Sequence, residues 1–224
     1  RPAAWTDVVL QGPHFGISNP FQKEPRLSGL HQQDYDEIDL NELSESHIPR
    51  TNWQRKASRS ALATSLETWD GIPYSESFRA IVRKRIPSNT YRSLFVSLCP
   101  RGPIATNICY FGGYADETDT ALLVGVLSGL LSDFFIRITD TTDVTEGVIG
   151  RLPAMRKEST FSAPVLHRVA RLNCLTDDFA DLWSSLHSEH WTEDDFADSA
   201  RATRSIASPP TTWDMGVPVR TDLD

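Results

Sequence analysis

Three cysteines in 224 residues (Cys99, Cys109 and Cys174) are an odd number, widely spaced, and form no CxxC pair. A disulfide framework and the common structural zinc arrangements are thereby excluded, and a reducing cytoplasm is the expected setting. The glycine signatures of phosphate and nucleotide binding are missing too: no GxGxxG follows a strand and no GxxxxGK[ST] occurs. No GxSxG elbow supports a serine hydrolase. The longest apolar stretch, Ala121 to Ile136, is interrupted by Asp133 and has acidic flanks. It falls short of the ~20 residues that cross a bilayer, so a core helix is expected and no membrane partner. Neither Met stands at the start, and the chain opens at Arg1 without a basic-then-apolar leader. A piece of a longer protein is the expectation.

Two chemical near-misses come next. His187-x-x-His190 lacks the helical HExxH spacing and a third ligand, and the other histidines stand singly, so no metal is expected. Ser18-Asn19-Pro20-Phe21 approaches the tetrad with which amino-methyltransferases hold a flipped base. The second proline is absent and no cofactor loop precedes it, so it reads as a turn. No catalytic residue is assigned.

What the chain does have is uneven charge. Its formal net charge is −8, yet Arg50 to Arg101 holds ten Lys/Arg against three Asp/Glu, and the remainder twelve against twenty-seven. A segment of +7 beside a body of −15 fits a surface for an anionic partner, and fits equally a solvated basic helix.

The pattern predicts an α+β fold, with strands and loops first and helices later. Residues 1–60 are loop- and strand-rich, 61–205 form an α+β core, and 206–224 an irregular tail. Trp69-Asp70-Gly71-Ile72 signals a turn. A helix is expected from about Glu76 to Ile86, with Arg79 and Arg83 sharing a face beside Lys84. Tyr91–Cys99 and Ile104–Phe111 read as strands. Gly125 and Gly129 within the apolar run suggest close packing. Val165–Leu186 reads as a long helix broken near Thr176, and Thr192 with Asp195 as the capping box of a last one.

The candidate binding residues are Arg50, Asn52, Arg55, Lys56, Arg79, Arg83, Lys84, Asn89, Arg92 and Arg101, interleaved with Trp53, Trp69, Tyr74 and Tyr91. Arg chelates phosphate or the O6/N7 edge of guanine, and Asn pairs with adenine, so the combination points to double-stranded DNA.

An ordered set of segments resembles the region that follows the methyltransferase domain in type IIS/IIG restriction–modification enzymes. Tyr74-Ser75-Glu76-Ser77-Phe78-Arg79 is followed by Asn89-Thr90-Tyr91-Arg92-Ser93-Leu94 and Pro100-Arg101-Gly102. Leu127-Ser128-Gly129 stands where relatives often carry Leu-Asn-Ser, and Leu152-Pro153 and Arg171-Leu172-Asn173-Cys174 keep the order. The resemblance covers most of residues 5–190. It implies a non-catalytic target-recognition part. Adenine methylation with S-adenosylmethionine, and any cleavage, would belong to the missing catalytic domain, itself a partner. The alternative is a structural or protein-interaction domain that positions the catalytic part, marked by an exposed apolar patch. An independent nuclease would need clustered carboxylates with a lysine, and Glu193-Asp194-Asp195 reads instead as a solvated helix start.

Overall fold

The computed structural model describes residues 1–29, 31, 33–87, 90–139, 141–193 and 209–220. Strand β1 (Val9–Leu10), the hairpin β2 (Lys23–Pro25) and β3 (Tyr35–Glu37), helix α1 (Arg59–Ser65) and the hairpin β4 (Thr68–Trp69) and β5 (Ile72–Pro73) precede the main sheet. Asp70 and Gly71 take φ of 51° and 81°, the left-handed pair that a two-residue hairpin turn requires. The main sheet holds β6 (Arg79–Arg83), β7 (Val96–Cys99) and, after β8 (Ile104–Ala105), β9 (Cys109–Gly112). Its order is β7-β6-β9, antiparallel throughout, with Ile81 opposite Ser97 and Phe111, while β8 runs parallel to β1. The fold is α+β, as expected.

One expectation fails here. Residues 76–86 are not a basic helix: Tyr74–Glu76 makes a 3-10 turn and the chain then enters the central strand β6. A spacing of four is even, so Arg79 and Arg83 share a face in a strand as well as in a helix. β-branched Ile81 and Val82 and a paired partner on each side decide the outcome. Ala80, Ile81 and Val82 are all buried, and Ile81 lies beside Trp5, Leu10 and Phe15 around a small internal gap.

The apolar run folds as α2 (Glu117–Ser128) and α3 (Leu130–Ile138), bent by 60° at Gly129. No single helix among the described residues is long and apolar enough to cross a membrane. The Asp116 side chain caps α2 by accepting from the Thr118 amide at 2.8 Å. Helix α2 packs on β6 and β7 and against α5 (Ser162–Asn173), which follows the short α4 (Glu146–Ile149). Gly125 permits the α2–α5 approach, since a Cβ there would lie 2.5 Å from Val165 Cγ1. The predicted long helix breaks after Asn173 and resumes as α6 (Ala180–Leu186). Along it Leu166, Val169, Ala170, Leu175, Phe179, Leu182 and Trp183 are buried, while Leu172 is 38% exposed. The Thr192–Asp195 capping box extends outside the described residues.

Edge strand β7 is closed by side chains. Asn173 Oδ1 accepts from Leu98 N (2.9 Å) and Ser97 Oγ (2.8 Å). Just before the strand, Asp133 Oδ1 accepts from the amides of Ser93 (2.6 Å) and Leu94 (2.9 Å). Residues 209–220 contain no helix or strand but are tied to the core: Trp213 Nε1 donates to Cys174 O, and Arg220 to Leu40 O and Leu175 O.

Candidate nucleic-acid interface

The segment from Arg50 to Arg59 is held from below by two carboxylates. Glu24, buried on β2, accepts from the Arg50 guanidinium (2.7 Å), from Arg1 (3.0 Å) and from the Arg50 amide (3.1 Å). Arg50 Nε also donates to Pro25 O at 2.7 Å. Buried His14 completes the anchor: Nδ1 accepts from Gln11 N (3.0 Å), which leaves Nε2–H to donate to Arg50 O (2.8 Å). Burial pulls the His14 pKa down, against the opposing pull of its backbone bonds and Glu24. His47 is lowered as well, by burial and then by Arg1 and Arg50, with Glu24 opposing. Thr51 Oγ1 donates to Val9 O at 2.8 Å.

The second carboxylate, Asp7, receives Arg55 (3.2 Å) and Arg59 (3.1 Å), and Ser58 caps α1 by accepting from Ala61 N. The face left to solvent carries Asn52, Trp53 (43% exposed), Lys56 and Arg59. Asn52 Nδ2 reaches the Tyr35 hydroxyl at 3.5 Å, and burial pushes that phenol up to about 12. Two open clefts lie along this segment. One, of about 450 Å³, is lined by Arg1, Arg50, Asn52 and Trp53. The other, of about 610 Å³, is lined by Arg59, Leu62, Leu66, Glu76 and Arg101. An exposed indole, an amide and two cations on an anchored loop can stack on a base, hydrogen-bond its edge and meet phosphate.

The structure thus brings Arg50, Asn52, Arg55, Lys56 and Arg101 to one region, although carboxylates already hold three of the four cations named, Arg50, Arg55 and Arg101. Arg101 bridges Glu117 (2.9 Å) and Asp181 (2.8 Å). Four other candidates lie elsewhere. Arg79 is fully buried, donates to Pro100 O (3.2 Å) and Pro103 O (3.0 Å), and stacks 4.2 Å from the Phe111 ring centre. Arg83 reaches inward to Phe15 O and Gln22 Oε1, 4.0 Å from the Phe95 ring, and burial lowers it to about 10. Arg92 clasps Asp133 (3.2 Å) and Ser128 O (2.6 Å) at the α2–α3 corner. Lys84 lies over Tyr110. Asn89 lies outside the described residues.

Sequence reasoning missed Glu24, Asp7 and Tyr35, which set the loop's shape, because nothing local marks which carboxylate folds back on the basic segment.

The remaining chemistry is structural. Phe21 of the tetrad-like turn is buried, and Asn19 Oδ1 accepts from its amide at 2.8 Å, so neither side chain is presented to a flipped base. His187 Nε2 bonds Pro209 O and its ring packs on Trp191. The three thiols are free and buried, and burial pushes Cys99 up to about 11, Cys109 to about 12 and Cys174 upward too, away from the nucleophilic thiolate. Among the described residues no cluster of His, Cys, Asp or Glu has the makings of a metal site. Comparison with protein-family models, with curated proteins and with solved structures found no match to the chain.

Proposed function

We propose that this chain is the non-catalytic DNA target-recognition part of a bacterial, cytoplasmic restriction–modification methyltransferase of the type IIS/IIG kind. Its contact with the duplex is the face carrying Asn52, Trp53, Lys56 and Arg59. The observation that supports this is the exposure of those four side chains on a loop and helix start fixed by Glu24 and Asp7, with Asn52 and Trp53 lining one open cleft and Arg59 another. Lys56 and Arg59 meet phosphates, Asn52 reads a base edge, and Trp53 packs on sugar or base. S-adenosylmethionine and the adenine chemistry belong to the catalytic domain with which this part works.

Binding to mixed duplex DNA across a salt series tests the reading. Asn52→Ala/Lys56→Ala/Arg59→Ala is expected to lower affinity at least tenfold, and to lower the salt slope by about 2 for the two lost cations. Unchanged binding by this variant would refute the assignment. A second reading, an interaction domain that positions a catalytic part, is favoured by one observation, the uncovered apolar face of α3.

A further inference from the structure

Helix α3 is amphipathic in the wrong sense for a surface helix. It buries Ser132 and Asp133, whose side chains bond Val126 O and the Ser93–Leu94 amides, and turns Leu130, Leu131, Phe134 and Ile138 outward. Those four are 73%, 81%, 61% and 60% exposed. The spacing 130/131, 134, 138 makes one continuous stripe. Leu130 and Leu131 also form the rim of an apolar cleft of about 850 Å³, whose far wall is Pro153, Ala154 and Met155.

We infer that this face is a homodimer interface, in which α3 of one copy enters the cleft of a second copy about a twofold axis. Two features favour a second copy over another occupant. Projecting side chains and recess lie on the same face, as an isologous contact requires. The charged groups lining the cleft, Arg156 and Glu158, are opposite in sign, and among the described residues neither forms an ion pair within the chain. In an isologous contact Arg156 of each copy can be met by Glu158 of the other.

The experiment is sedimentation equilibrium of the whole chain from micromolar to millimolar concentration. A monomer–dimer equilibrium is expected, abolished by Leu131→Asp/Phe134→Asp. Arg156→Glu is expected to weaken it at least tenfold, and Arg156→Glu/Glu158→Arg to restore it. The substituted side chains are exposed, and circular dichroism checks that each variant is folded. A chain that stays monomeric throughout overturns the inference and leaves the face to a different partner. So does a dimer indifferent to Leu131→Asp/Phe134→Asp, or a charge swap that fails to restore association. DNA affinity of the loop variants is read separately, so failure here is distinguishable from failure of the recognition reading.

Discussion

Arg79 has three side-chain nitrogens deep in the protein and, among the described residues, forms no ion pair with a carboxylate; its charge is met by the carbonyls of Ser77, Pro100 and Pro103 and by the faces of Phe111 and Tyr74. Burial lowers its pKa for that reason. Arg79→Ala leaves those carbonyls unpaired and a void beneath Phe111, and is expected to cost about 3 kcal/mol in urea unfolding with an unchanged m value. Glu24 shows the converse. Glu24→Gln leaves the mostly buried Arg50 guanidinium without its counter-charge and is expected to cost about 3 kcal/mol and to release the Asn52 loop. His14 and His47 set a pH dependence. Both are held below their ordinary pKa, so the folded state favours the neutral rings; the stability they contribute is complete above about pH 6.5 and is lost as pH falls through their folded values. The thermal midpoint is expected to be flat above neutrality and to decline below it, and His14→Gln should reduce the decline. Little of this could be read from the chain. A run of basic residues looks the same whether its guanidiniums face water, as Arg85 does, or face carbonyls, as Arg79 does.

Among the elements, the turn at Asp70-Gly71, the break after Asn173 and the need for Gly125 were legible, because each depends on a local conformation or a close contact that few residues allow. The strand β6 was not, because Arg79-Ala80-Ile81-Val82-Arg83 satisfies a helical and an extended period together and its partners lie at 96–99 and 109–112. Gly125→Ala is expected to destabilise the protein by about 1–2 kcal/mol despite the better helix propensity of alanine, since the new methyl collides with the stiff side chains of Val165 and Val169. The apolar run was read as one buried helix, and the kink at Gly129 makes it two with different roles. Ser132-Asp133 set opposite Leu130-Leu131 and Phe134 was the available sign that the second half faces outward.

For the whole molecule, the contrast between a +7 segment and a −15 remainder turns out to be largely internal bookkeeping. Glu24, Asp7, Asp133, Glu117 and Asp181 take up Arg50, Arg55, Arg59, Arg92 and Arg101. The charge count therefore overstated the surface available to an anion, because sequence distance does not report which carboxylate folds back on which arginine. What is left is a smaller face of Asn52, Trp53 and Lys56, joined by Arg59, whose side chain is 60% exposed beyond its contact with Asp7, on a sheet-and-helix core that also carries the apolar stripe of α3. The most direct test of that account is duplex binding measured by fluorescence anisotropy at rising salt, for the unaltered chain and for Asn52→Ala/Lys56→Ala/Arg59→Ala. The account predicts affinity that falls steeply with salt and is at least tenfold weaker in the variant. Salt-independent binding, or binding that the variant retains in full, would contradict it.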